Sequence, residues 1–240
     1  MAHFYLAAAL TETEATLTGE EARHAAQVSR LRVGERVSVG DGLGRVAEAE
    51  AVEVARDRVV LRVLAVRDEP APARRLVLVQ ALAKGGRDEA AIQAATELGV
   101  TAIVPWQAAR SVTRWSGPKV AAGVARWASI VREAGKQSMR PWSAAVRPLA
   151  WTADLAALAA TSTMLLLEPT ATVRLLDVDL PADREVVLVV GPEGGIAPEE
   201  LDRLTAAGAT PVRLGPLVLR TSSAGPAALA ALAPTLGLWP

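Results

Sequence analysis

The chain has 240 residues, 51% hydrophobic and 22% charged, which is enough apolar material for one or two domains with sizeable cores. It contains no cysteine and only two histidines, His3 and His24, so a disulfide framework, a thiolate metal site and a histidine-based zinc centre are all excluded. Its formal net charge is zero, but the balance is uneven: residues 1–70 hold 9 Lys/Arg against 12 Asp/Glu, residues 71–150 hold 12 against 4, and residues 151–240 hold 5 against 10. The basic middle third also holds Trp106, Trp115, Trp127 and Trp142. Cations interleaved with flat side chains suit base stacking in a nucleic acid, and suit equally a solvated face over a tryptophan-containing core.

The opening MAHFYLAAALTETE has neither a basic leading region nor a cleavage site. No apolar run approaches the roughly 18 residues that cross a bilayer, so a cytoplasmic location is expected, with no membrane partner and no metal. In the first seventy residues ERVSVGDG, GRVAEAEAVEV and RVVLRVLAVR alternate branched apolar with polar residues, as in a small β-barrel or sandwich, and Asp41-Gly42 signals a hairpin. DEPAPARR, residues 68–75, has two prolines and no periodicity, which places a boundary between a domain of residues 1–70 and one of residues 71–240.

Beyond it, short apolar runs alternate with helical patterns. LVLVQAL (76–82), TAIVPW (101–106), TMLLLEP (163–169), VVLVV (186–190) and TPVRLG (210–215) read as strands of a parallel sheet buried on both faces. Val120, Val124, Trp127 and Val131 recur at helical spacing, and AAIQAATELGV ends with Gly99 where a helix-terminating glycine belongs. The pattern is weak between 136 and 162.

In an open parallel sheet, ligands bind beyond the carboxyl ends of the strands. Three such ends are chemically unusual: Leu166-Leu167-Glu168-Pro169, the loop VVGPEGGIAP beginning at Val189, and LGPLVLRTSSAG, residues 214–225. GPEGGI lacks the spacing of a dinucleotide fingerprint, and no Lys follows Lys136 to complete a phosphate-binding loop. Glu193 also disfavours phosphate, which it would repel. A cationic or neutral ligand read by backbone groups fits better. In the last loop the hydroxyls of Thr221, Ser222 and Ser223 are placed to cap the final helix, with Pro226 in its first turn. Serine-hydrolase chemistry lacks a base, because neither histidine lies in the α/β region.

GPEGG and LGPxVLRTSxA, together with TELGV, Pro105, the triplet Arg110-Ser111-Val112, and His24, Val28, Arg30 and Asp41-Gly42 near the amino terminus, closely resemble the RsmE family. These are 16S ribosomal RNA uracil-N3 methyltransferases of the SPOUT, or trefoil-knot, superfamily. The resemblance covers essentially the whole chain. It implies a small PUA-like or OB-like β-barrel followed by a SPOUT α/β domain with a trefoil-knotted parallel sheet. It also implies the cofactor S-adenosylmethionine, a homodimer, and as substrate one uridine of 16S rRNA in the small ribosomal subunit.

The resemblance assigns cofactor binding to Leu167, Glu168 and Pro169, to Gly191, Pro192, Glu193, Gly194, Gly195 and Ile196, and to Leu214, Gly215, Leu219 and Thr221. Leu167, Ile196, Leu214 and Leu219 would sandwich the adenine. Arg220 would stabilise negative charge on the base or position an RNA phosphate, with a knot-locking salt bridge as its structural alternative. Ser222 and Ser223 stand where the family usually has Glu and Thr, and Leu217 where Arg is frequent, which leaves a carboxylate base at position 222 without its residue. Phosphate contacts are expected from Arg30 and Arg32, Lys84 and Arg87, Arg110 and Arg114, and Lys136 and Arg140. Glu97 is read as organising a helix end. The competing functions are a SPOUT methyltransferase acting elsewhere on RNA, such as a ribose 2′-hydroxyl, and a non-catalytic RNA-binding assembly factor, for which Ser222 speaks.

Overall fold

A computed structural model describes residues 3–239. They form two compact units: one comprises the residues up to Ala73 together with Gly135–Ser143, the other Arg74–Ala134 and the residues from Ala144 on. A division into contiguous stretches at 70/71 thus overlooks segment 135–143, which packs with the first unit. The buried Lys136 ammonium is 2.8 Å from Glu21 Oε1, and the Trp142 indole N–H donates to the Glu69 carbonyl at 3.0 Å. The Gly44 amide donates to the Pro141 carbonyl, also at 3.0 Å. Gly44 has φ +104°, and a Cβ there would meet the Trp142 ring at 2.6 Å, so only glycine lets the indole lie this close.

In the first unit, β1 (Phe4–Leu6), β2 (Ala9–Leu10), β3 (Glu14–Thr18), β4 (Arg36–Gly40), β5 (Arg45–Val54) and β6 (Arg58–Asp68) form one sheet in the order β1-β4-β5-β6-β3-β2. Along β5 the small residues Ala47, Ala49 and Ala51 are buried while Glu48 stays exposed, the period-2 alternation of a half-buried strand. The two edge strands are consecutive in sequence. Ala7 donates to the Gly40 carbonyl at 2.8 Å on one side and Ala8 to that of Thr16 at 2.9 Å on the other, so the stretch from β1 to β2 closes the sheet into a barrel. Tyr5, Leu17, Val39, Val59 and Leu61 fill it.

A short helix, α1 (Gly19–Arg23), runs into a wider π-helical turn, His24–Val28. Arg30 ends that turn at φ 55°, a left-handed conformation uncommon outside glycine. His24 faces the Tyr5 ring edge-on, while Val28 is exposed. The expected hairpin at Asp41-Gly42 is present. One Asp41 carboxylate oxygen accepts the Leu43 and Arg45 amides at 2.7 and 3.1 Å, and Gly42 and Gly44 take positive φ.

The second unit is a parallel sheet with helices on both faces. In chain order it contains β7 (Leu76–Ala81), α2 (Arg87–Glu97), β8 (Ala102–Trp106), α3 (Pro118–Gln137, whose last residues join the first unit), β9 (Ala145–Val146), α4 (Thr152–Ala159), β10 (Thr163–Leu167), β11 (Val186–Val190), α5 (Pro198–Ala206), β12 (Thr210–Val212) and α6 (Thr221–Leu232). The strand order is β12-β10-β11-β7-β8-β9, with every pair parallel. Leu76 and Leu78 pack with Ile92, Trp127, Val131 and Leu229 on one face. Val77 and Val79 pack with Leu155, Ala159 and Leu204 on the other. This two-sided burial is why the strands read as continuous apolar runs.

One open alternative is decided and one expectation corrected. The four tryptophans of the basic third are structural: Trp106 and Trp127 are fully buried, Trp115 packs edge-on against Trp127 with ring centroids 5.4 Å apart, and Trp142 lies against Gly44. Flat apolar rings gain more from burial than from an exposed stacking platform when a core is within reach. The final helix begins at Thr221, so Pro226 falls in its second turn and withholds an N–H from the Ser222 carbonyl. None of the three hydroxyls caps that helix, whose N-cap is Arg220 with no side-chain cap bond.

Candidate functional site

Leu167 ends β10, Val190 ends β11 and Val212 ends β12, and beyond these ends the three loops converge on one cavity of about 460 Å³. From the first loop Leu167, Glu168 and Pro169 line it; from the second, Gly191, Pro192, Glu193, Gly195 and Ile196; from the third, Leu214, Gly215, Leu219, Arg220 and Thr221. Gly194 and Ser222 stand outside the lining. Ser222 is half-buried in the first turn of α6, next to Thr221 but on another face of the helix. The lining also includes Leu217, which the sequence marked only as a departure from the family pattern, and Arg213 and Val218, which it did not single out.

The glycine-rich turn is shaped by steric demand. Gly195 has φ +72°, and a Cβ on Gly191 would sit 2.9 Å from Ile196 Cγ1 and 3.1 Å from the Ile196 nitrogen. Gly191→Ala is expected to push Ile196 into the cavity and weaken ligand binding about tenfold, with a Tm change of only a few degrees. Calorimetric titration alongside a melting curve checks this; ligand affinity equal to that of the native chain would mean that the turn relaxes freely.

Glu193 is neutralised from within the protein. Its Oε1 accepts the Lys84 amide at 3.1 Å and the Arg87 guanidinium at 2.9 Å. Burial by itself would raise the Glu193 carboxyl, but the bonds from its own backbone amide, Arg87 and Lys84 outweigh that and hold it below the usual carboxylate value. Arg87, expected at phosphate, is therefore held in an ion pair and lines the cavity instead. Arg110 is likewise engaged, its Nη1 donating to the Gly194 carbonyl at 3.0 Å. Arg114 donates to the Ala109 carbonyl at 2.8 Å. Lys84 and Arg30 are exposed, whereas Arg140 is half-buried in the barrel unit, where desolvation lowers its pKa. Lys136 is buried against Glu21 and so is unavailable to phosphate.

Behind the cavity, the Thr221 hydroxyl donates to the Gly191 carbonyl at 2.8 Å and accepts from Gln80 Nε2 at 2.9 Å. Glu200, also buried, accepts the Ala109 amide at 2.9 Å and the Thr152 hydroxyl at 2.6 Å, tying the loop that carries Arg110 to α4 and α5. The Arg220 side chain is exposed at the cavity and makes no hydrogen bond or ion pair to the described residues, so the expected alternative of a knot-locking salt bridge does not occur there. Glu168 accepts from the Thr170 hydroxyl at 2.9 Å and so shapes its own loop. No group of three or more His, Asp or Glu among the described residues is placed to hold a metal, and no described helix is long and apolar enough to cross a membrane.

Comparison with known proteins agrees with this layout. A family model for an RNA methyltransferase domain matches residues 69–233, and one for an RNA methyltransferase PUA domain matches residues 17–64. The ribosomal RNA small subunit methyltransferase E of Mycobacterium bovis is 42% identical over 234 residues, covering 95% of this chain and 89% of the relative. That of Bacillus subtilis is 31% identical over 90% of this chain and 88% of its own. The crystal structure of a ribosomal RNA small subunit methyltransferase E from Neisseria gonorrhoeae bound to S-adenosyl methionine superposes with TM-score 0.88 at 30% identity, over 100% of this chain and 98% of that one.

Proposed function

The chain belongs to the RNA methyltransferase family, and on that premise we propose that it methylates N3 of one uridine in the 16S rRNA of the small ribosomal subunit, using S-adenosylmethionine. The observation that carries this reading is the single cavity formed by the three strand-end loops of the parallel sheet. Its volume suits a nucleoside-sized ligand. Its walls combine apolar side chains and glycine-rich backbone with a few charged residues, among them Glu168, Arg213 and Arg220, and its one glycine-loop carboxylate is already paired, so a cofactor without phosphate fits. Leu167, Ile196, Leu214 and Leu219 would enclose the adenine, while backbone groups of Gly191, Gly195 and Gly215 read its edge.

S-adenosylmethionine supplies, when bound, an electrophilic methyl group on a sulfonium. The chain's own task is to present N3 of the base as a nucleophile, which requires loss of a weakly acidic imide proton. Arg220, unpaired at the cavity, would hold the negative charge that then spreads over the uracil carbonyl oxygens. With Ser222 outside the lining, Glu193 paired to Arg87 and Glu168 bonded to Thr170 of its own loop, the proton would pass to solvent. RNA would be gripped by exposed Lys84 and Arg30, with Val28 and Arg30 presented by the π-helical turn of the PUA barrel. Arg87, Arg110 and Arg140 would act mainly by shaping the surfaces they are bonded into.

The same reading includes a homodimer, a trefoil-knotted C-terminal segment and a cytoplasmic location. Leu217 and Val218, each 77% exposed beside the cavity, support an apolar contact with a second subunit. The chain leaves β12 at one edge of the sheet, yet α6 packs against β11 and α2 in its interior, the path a threaded segment would take. Sedimentation should find two chains per particle, and a monomer at working concentration would count against the dimer.

The decisive test incubates the protein with labelled S-adenosylmethionine and small subunits lacking the modification, then maps the product. Label on N3 of a single uridine is expected. Label on a ribose or cytidine would overturn the N3 assignment, and bound cofactor without transfer would favour an assembly factor.

A further inference from the structure

β7 reads LVLVQA, and Gln80 is the one polar residue in a strand where every position is buried. An amide is costly in such a place unless its hydrogens are used. Both are: Nε2 donates to the Thr221 hydroxyl at 2.9 Å and to the Ala81 carbonyl at 3.2 Å, whereas Oε1 is buried with no partner. The donors, not the acceptor, account for the residue.

Because Thr221 receives its hydrogen bond from Gln80, its own single proton is directed to the Gly191 carbonyl at 2.8 Å. The relay Gln80→Thr221→Gly191 joins three points separated by 141 and 30 positions along the chain. Both Thr221 and Gly191 line the cavity, and Thr221 directly follows Arg220.

We propose that Gln80 is a positioning residue. Through the Thr221 hydroxyl it sets the distance between the glycine-rich loop and the start of α6, and so fixes the cofactor wall and the Arg220 guanidinium relative to each other. The idea rests on the cofactor-dependent function above, but the relay itself can be tested without ligand. A group that acts at the reacting centre must be held to about half an ångström, and a displacement near 1 Å can cost about a hundredfold in rate. A hydroxyl whose rotor is fixed by a buried amide meets that demand; a free rotor on an exposed helix start does not.

The test compares Gln80→Leu, Thr221→Val, the double variant and Thr221→Ser. Gln80→Leu removes an orphaned acceptor from an apolar strand, so its Tm should hold or rise. Its affinity for S-adenosylmethionine should nevertheless fall about tenfold, with a larger loss in kcat. Thr221→Val should behave alike, the double variant should be no worse than either single one, and Thr221→Ser should restore native values. Amide hydrogen exchange without ligand should quicken in Gln80→Leu at residues 191–196 and 221–224 and nowhere else. Multiplicative losses in the double variant, or native exchange and native affinity in Gln80→Leu, would overturn the proposal. A native chain that fails to bind S-adenosylmethionine would instead overturn the proposed function, and the exchange pattern would still decide on the relay.

Discussion

Arg220→Ala should bind S-adenosylmethionine with near-native affinity and lose about a hundredfold to a thousandfold in methyl transfer, the range found when a single donor to a developing anion is removed. Affinity should survive because much of the cavity wall is backbone and apolar side chain, and Arg220 is one of several charged residues around it, with Arg87, Glu168, Glu193 and Arg213. Turnover should not, because Arg220 is the one cation of loop segment 214–221, and the other exposed arginine of the lining, Arg213, stands directly after β12. Single-turnover transfer at saturating cofactor, with calorimetric titration in parallel, separates the two effects. Arg220→Lys should recover part of the rate, as a point charge without the planar fork of donors. Equal losses in affinity and turnover would make Arg220 a binding residue, and an unchanged rate would remove it from the mechanism.

Lys136→Met should leave RNA affinity and its salt dependence unchanged but destabilise the barrel unit by about 3–5 kcal/mol, the cost typical of removing one partner of a buried ion pair. In the native chain the two side chains are 4% and 15% exposed and 2.8 Å apart, and the second Glu21 oxygen has no partner. Without the ammonium, the carboxylate is stranded between α1 and segment 135–143. A drop in Tm of about 10 °C is expected for a change of this size. Glu21→Gln together with Lys136→Met should regain much of the loss, since removing both charges avoids the uncompensated one. A reduced salt slope with unchanged Tm would instead mean that Lys136 reaches RNA.

The contrast between these two cations shows what could be read from residues alone. Both belong to segments whose composition marks them as functional, and nothing local separates them. Arg220 is exposed at a cavity and forms no ion pair with a described carboxylate, although Glu168 and Glu193 line the same cavity. Lys136 is buried because the chain returns to the barrel at Gly135–Ser143, a path that no periodicity between 136 and 162 announced. Arg87 and Glu193 are 106 positions apart, and their pairing changed the meaning of each: the carboxylate that appeared to select a cationic ligand is neutralised by the cation that appeared to select phosphate.

The sequence by itself determined β4 to β6 of the first unit and β7, β8, β10 to β12, α2 and α3 of the second, because alternation of period two and apolar runs bounded by glycine and proline are local consequences of burial; it did not announce α1, the π-helical turn, β9 or α4. It also determined which three loops matter, since a glycine that must admit close approach and an arginine beside hydroxyls are visible one residue at a time. Only the tertiary structure decided how the stretch from Phe4 to Leu10 closes the barrel, why the tryptophans turn inward, and which cations are left unpaired. Those outcomes depend on contacts between residues far apart in the chain, and the energy of a charge or a ring is set by its neighbours in space. Gln80 combines both kinds of signal: its polarity stands out in LVLVQA, but its partner 141 positions away appears only when α6 is folded against the sheet.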